Sequence, residues 1–279
     1  MKTCTKSDLR YNTFMINDLK KNDFTLVLSG GGALGIAHLG VLADLEKYDI
    51  TPQEIVGTSM GGIIGACMAI GMKEKEIHTE IKAFSSVSKW VTFSFSGNAL
   101  VDNSKIEEIF KKLFGDRKMK ETIIPLKLVA TNLLNGDKRV FSARDNVYIR
   151  DAILATMAIP GVFDEHVIGG NTYGDGFLCE NLGVNEATFS DVLAVDVLGK
   201  NAFEKEMPDN FFKTSNVLEM FEKSMRLLIY NQTQTHIKHC NKNIYLLEPK
   251  TKYFKTYQFH KVKEIRALGL DLLDGMYVS

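Results

Sequence analysis

Residues 25–42 read TLVLSGGGALGIAHLGVL. An apolar run of strand length comes first, then three adjacent glycines, then apolar residues at helical spacing. Three glycines cost backbone entropy and pack no side chain, so something has to come close to this backbone. Gly30, Gly32 and Gly35 match G-x-G-x-x-G, the dinucleotide-phosphate pattern, between a strand and a helix as that pattern requires. Any other anion held at a helix N-terminus fits equally well, because free N–H groups and the helix dipole attract negative charge. A tight turn without a ligand is the third reading of the same residues.

The bulk properties narrow the field. The 279 residues allow one large α/β domain or two small ones, and 45% hydrophobic residues suit a globular chain. Basic and acidic residues number 34 each, so the net charge is zero, which argues against a nucleic-acid partner. Cys4, Cys67, Cys179 and Cys240 are widely separated, so neither a zinc site nor a disulfide framework is expected. The opening MKTCTKSDLRYNTF lacks the apolar core of a signal peptide, and GGIIGACMAIGM (61–72) is too short and glycine-rich to span a bilayer. The expected location is the cytoplasm; secretion without a cleaved signal stays open.

Outward from the glycines, strands and helices alternate. Strands are expected at 24–29, near 54–56, and at LKLVATNL (126–133), DKRVFSA (137–143), DVLAVDVL (191–198) and NIYLLEP (243–249). Helices are expected at 35–48, 59–72, 72–86, 105–115, 149–157, within 209–240, and at 257–274. Asn135-Gly136 signals a hairpin, and HVIGGNTYGDG (166–176) a second one. The alternation predicts an α/β fold: a central, mostly parallel sheet flanked by helices on both faces.

The second strand decides among the readings of the glycine loop. A dinucleotide site wants an acidic residue at that strand's end, about 20 residues past the glycines. Glu54 stands instead at the strand's start, and GTSMG, Gly57 to Gly61, follows its end. G-x-S-x-G between a strand and a helix lifts the serine onto a sharp elbow, with Gly57 and Gly61 making room. The same letters also suit a plain helix start with Ser59 as N-cap. A serine attacking a carbonyl creates an oxyanion, which needs fixed N–H donors about 3 Å away. A neighbouring loop of Gly30, Gly31, Gly32 and Ala33 can supply them. For a base, YGDGFLCENLGV (173–184) offers Asp175 between Gly174 and Gly176, in a turn after a hairpin strand. Asp-Gly is also ordinary turn chemistry.

Together LSGGGALGIAHLGVL, GTSMGG, ATMAIPGVF (155–163) and YGDG followed by Asn181 resemble the patatin-like phospholipase family, over residues 24 to about 197. The resemblance implies a Ser–Asp dyad without histidine, with Ser59 as nucleophile, Asp175 as base, and the glycine-loop backbone as oxyanion hole. It implies lipid or phospholipid acyl esters as substrates, with peripheral membrane contact and no metal or cofactor. The chain is expected to divide into a polar arm (1–23), a catalytic domain (24–200) and a mainly helical extension packed on it (201–279), the last beyond the reach of the resemblance. Three positions depart from the family pattern: Leu34 replaces a basic residue, Phe177 a small one, and Gly183 a proline.

Rival readings remain at this point. A Ser-His-Asp hydrolase could use Ser59, Asp196 and one of His236, His239 or His260. A member of the fold that binds lipid or a partner without catalysis is the other. His38 is expected to pack behind the site. WVTFSFSGNALV (90–101) and FFKTSNVLEMFEKSMRLLIY (211–230) are either core segments or surfaces that meet lipid.

Overall fold

The computed structural model describes residues 16–87, 103–160, 162–203 and 214–274. The aromatic stretch at 90–101, residues 211–213 and residues 1–15 lie outside them. The elements in chain order are α1 (Ile16–Lys21), β1 (Phe24–Leu28), α2 (His38–Lys47), β2 (Glu54–Thr58), α3 (Ser59–Ala69), α4 (Glu74–Val87), α5 (Asn103–Phe114), β3 (Leu126–Asn132), β4 (Lys138–Phe141) and α6 (Ile149–Met157). There follow β5 (His166–Ile168), β6 (Asn171–Asp175), β7 (Asp191–Val195), α7 (Thr214–His239), β8 (Asn243–Leu247) and α8 (Val262–Ala267).

The eight strands among the described residues join one mixed sheet in the order β5-β6-β3-β2-β1-β7-β8, with β4 paired to β3. The run β3-β2-β1-β7-β8 is parallel, and β4, β5 and β6 are antiparallel additions at one side. β1 (FTLVL) and β2 (EIVGT) are buried at every residue, as parallel strands covered on both faces must be. Their alternate side chains enter two cores. Leu26, Leu28, Ile55 and Leu128 point into the larger one, with α2, α3 and α6. Val27, Val56, Val129 and Val192 point into a smaller one closed by residues 182–187 and by Ile237 of α7. The second face is thus covered partly by irregular chain. Strand order runs outward from β1 in both directions, so the topology reverses there. Crevices at the carboxyl ends of strands at such a point are where α/β sheets bind ligands. No helix among the described residues is long and apolar enough to cross a membrane.

Both expected hairpins form, with Gly136 (φ +78) at one tip and Gly169 and Gly170 (φ +59 and +81) at the other. Two helices differ from the sequence reading. The first begins as a 3₁₀ turn over Gly32–Ala37 and becomes α-helical only at His38. The last contracts to six residues. Gly269 is pressed onto the Ala37 carbonyl, Asp271 turns left-handed (φ +58), and Asp44 accepts the N–H groups of Asp271 and Leu273 at 3.0 and 3.3 Å. Those bonds stop the helix in place of further turns.

Candidate active site

β2 ends at Thr58 and α3 begins at once with Ser59, which is held at φ +51. A non-glycine residue in that region costs on the order of 1 kcal/mol or more, so the surroundings must impose it. The N-cap is Thr58, in extended conformation and without a capping side-chain bond. The N-cap reading of Ser59 therefore fails. The Ser59 N–H donates to Thr156 Oγ1 at 3.0 Å, and the Thr156 hydroxyl donates to the Val129 carbonyl, which ties the elbow to α6 and β3. Close backbone approach explains the flanking glycines. A Cβ on Gly57 would lie 2.5 Å from Gly62 Cα, and one on Gly61 2.5 Å from the Ser29 carbonyl oxygen. Gly61→Ala should push α3 off the end of β1 and lower stability by about 1–3 kcal/mol. Denaturant melts measure it, and an unchanged midpoint would refute the tight packing.

The glycine loop leaves β1 one strand away. Asn181 clamps Gly30 at both ends: the Gly30 N–H donates to the Asn181 carbonyl at 3.3 Å, and Asn181 Nδ2 donates to the Gly30 carbonyl at 3.4 Å. A Cβ on Gly30 would sit 2.6 Å from Asn181 Oδ1 and 3.2 Å from Ser59 Cβ, so this glycine is where the loop passes the serine. Gly31 rests on Val197, and Gly32 (φ +53) on the Thr256 carbonyl, which accepts the Ala33 N–H at 2.7 Å. The Gly30 and Ala33 donors are thus engaged. Among the described residues, the Gly31 and Gly32 N–H groups have no acceptor, which narrows the four-residue oxyanion expectation to these two. Behind the loop, fully buried His38 donates Nε2–H to the Ser29 carbonyl at 2.9 Å. Burial, only partly offset by that bond, pushes its pKa down to about 4, so it is a neutral brace.

Asp175 arrives from the far side of the sheet. It ends β6, opposite Ala130 of β3, and the chain then turns over β3 toward β2. Gly176 allows that crossing, since its Cβ would press on the Val129 carbonyl and lie 2.9 Å from Thr58 Cγ2. The carboxyl is fully buried. Its Oδ1 accepts the Phe177 N–H at 3.0 Å, and Oδ2 has no hydrogen-bond partner. Burial pushes its pKa up to about 7, against the smaller downward pull of the Ser59 hydroxyl and the Phe177 N–H. A buried carboxyl near 7 with one oxygen open is suited to take a proton at neutral pH.

Among the described residues, no hydrogen bond or ion pair joins a histidine to Ser59 or Asp196. Asp196, also raised to about 7 by burial, accepts the Leu198 N–H on Oδ1 at 3.0 Å and leaves Oδ2 without a partner. His236 lies 3.7 Å from Glu180, and His239 Nδ1 contacts the Thr235 carbonyl at 2.8 Å. Of the departures, Leu34 is buried core, and Phe177 packs against the larger core while donating its N–H to Asp175. In the 211–230 stretch, Leu227 and Leu228 are exposed whereas Arg226 and Ile229 are buried. Sequence reasoning assigned no role to Thr156 or Thr256. Thr156 lies within ATMAIPGVF (155–163), whereas a backbone carbonyl such as that of Thr256 carries no sequence signal.

A family model described as patatin-like phospholipase matches residues 26–188, more than half of the chain. Lysophospholipase NTE1 of Candida albicans is 25% identical over 281 residues, covering 91% of this chain and 20% of that protein. An uncharacterized NTE family protein of Mycobacterium tuberculosis is 32% identical over 160 residues, covering 56% of this chain and 43% of its own length. The chain thus spans about a fifth of the NTE1 relative. Among solved structures, VipD from Legionella pneumophila matches with a TM-score of 0.47 at 13% identity, covering 91% of this chain and 67% of that one.

Proposed function

Because the chain belongs to the patatin-like phospholipase family, we propose that it hydrolyses acyl ester bonds of lipids through a dyad of Ser59 and Asp175. The observation that supports this reading is the buried Asp175 carboxyl, raised to about 7 with one oxygen open, together with a serine held at φ +51. Asp175 takes the hydroxyl proton as Ser59 Oγ attacks the ester carbonyl. The Gly31 and Gly32 N–H groups meet the oxyanion. Asp175 returns the proton to the departing alcohol, leaving an acyl-serine. Water, deprotonated by the same carboxylate, then attacks the acyl-serine, and Asp175 returns that proton to Ser59 Oγ as the fatty acid is released.

The relatives named lysophospholipase point to single-chain phospholipids as the substrate class. An apolar rim supports contact with a lipid surface. Leu178, beside the Asp175 turn, is exposed; Gln232 of α7 donates to its carbonyl at 3.4 Å, and exposed Leu228 lies one turn earlier on α7. Fatty-acid release from lysophosphatidylcholine and from diacyl phosphatidylcholine tests the reading. Release from neither, nor from simpler esters, would leave a lipid-binding member of the fold.

The histidines separate dyad from triad. His236→Ala, His239→Ala and His260→Ala should each keep kcat/KM within about tenfold, roughly 1.4 kcal/mol of barrier. A loss of several orders of magnitude in one folded variant would restore the triad. The acidic limb of the pH profile cannot replace this test, because an aspartate near 7 titrates where an ordinary histidine does.

A further inference from the structure

Beyond the segment matched by the family model, α7 carries a buried ion pair that the mechanism above does not use. Glu222 and Arg226, one helical turn apart, meet at 2.8 Å with side chains 13% and 8% exposed. Glu222 Oε1 also accepts the Thr256 N–H at 3.0 Å and the Thr256 hydroxyl at 2.9 Å. Arg226 donates to the carbonyls of Phe254 and Ala202, at 2.9 and 3.3 Å. Residues 254–256 are thus gripped at both ends. The remaining polar group of Thr256, its carbonyl, is the one that accepts the Ala33 N–H and against which Gly32 rests.

We propose that Glu222 and Arg226 are positioning residues, which hold the glycine loop in its oxyanion-binding shape through the carbonyl of Thr256. The inference rests on the hydrolase reading above. A loop of three glycines has little conformational preference of its own. Oxyanion donors help only when they are already in place as charge develops. Asn181 and His38 fix the Gly30 end of the loop, and the Thr256 carbonyl is the hydrogen-bond anchor at the Ala33 end. Burial works against the Glu222 charge, but the Thr256 N–H, Arg226 and the Thr256 hydroxyl outweigh it and keep the carboxyl below its usual range. Glu222 therefore stays ionised through the neutral range, paired with the Arg226 cation. For stability alone, a well-packed apolar pair would serve as well as a buried ion pair. This pair instead aims its hydrogen bonds into a segment that touches the site.

The test compares full-length wild type with Glu222→Ala. Turnover of p-nitrophenyl butyrate is measured per active site, with sites counted by exhaustive fluorophosphonate labelling, and amide hydrogen exchange is followed at residues 31–34. The expected result is a fall in kcat of at least about tenfold, with KM moved by less than about twofold. Exchange should quicken at 31–34 while β1 stays protected. Glu222→Gln, which keeps the acceptor oxygen, should recover most of the lost kcat. Unchanged exchange in the loop would overturn the proposal whatever the activity does. Quickened exchange with unchanged kcat would overturn it as well, because the loop would then be held without consequence for catalysis. If wild type neither turns over nor labels, the hydrolase reading fails, and the exchange result still says whether α7 holds the loop. If Glu222→Ala does not fold, Thr256→Ala, which removes only the hydroxyl arm, carries the same test with a smaller fall, and no change in it would refute the strut.

Discussion

Ser59→Ala should abolish ester turnover, by a factor on the order of 10⁴ or more, because no other group in the site can form the acyl intermediate. Covalent labelling by a fluorophosphonate should vanish with it. The fold should survive. The hydroxyl makes no contact that holds the elbow, since the anchoring bond to Thr156 comes from the backbone N–H, which alanine keeps. The left-handed backbone gives a second handle. Ser59→Gly, equally inactive, should be more stable than Ser59→Ala by about 1 kcal/mol, because glycine accepts φ +51 without steric cost. An alanine variant that kept near-wild-type turnover would remove Ser59 from the chemistry altogether.

Asp175→Asn should lower kcat by about 10²–10⁴, the usual worth of a general base. In wild type, activity should fall as pH drops through about 7, where the carboxyl takes up its proton. The same shift has a stability consequence of fixed sign. The folded state binds this proton more tightly than the unfolded chain, whose aspartate titrates near its ordinary value. The added stability is complete below about pH 4 and is lost as pH rises through about 7. Well above that pH, wild type forgoes up to about 4 kcal/mol at this position. Asparagine carries no charge to bury. The inactive variant should therefore melt higher than wild type at pH 8, with the gap shrinking at pH 5. Equal activity would reduce Asp175 to a turn residue, and an equal melting gap at both pH values would show that its charge is not buried. Activity and stability are in opposition at this residue, as is common where a site keeps a strained charge.

The turns that build the candidate site were legible in residue types. The apolar β1 and β2, the G-x-S-x-G elbow and the Asp175 turn each use residue types chosen for one task. The three glycines could be read as close backbone approach, although what approaches could not. The occupants are the Asn181 and Thr256 carbonyls, the Val197 side chain and the Ser59 elbow. Any residue supplies a carbonyl, so a backbone acceptor brought from residue 256 leaves no letter to read. For the same reason four adjacent candidate donors could not be separated by sequence, whereas their partners show Gly30 and Ala33 already engaged. The short α8 was missed because its end depends on contact between Gly269 and Ala37, far apart in the chain.

The pairing of β1 bears on where the chain can be cut. The family segment ends at residue 188, yet β1 is bonded on one side to β2 and on the other, along its whole length, to β7 at Asp191–Val195. A fragment trimmed to the family boundary would bare the N–H and C=O groups along one whole edge of a five-residue strand, with no charge and no proline to discourage new partners. Such a piece is built to pair with copies of itself. Shortened versions for expression or crystallisation therefore have to run through β8, so that the strand carrying the glycine loop keeps both of its neighbours.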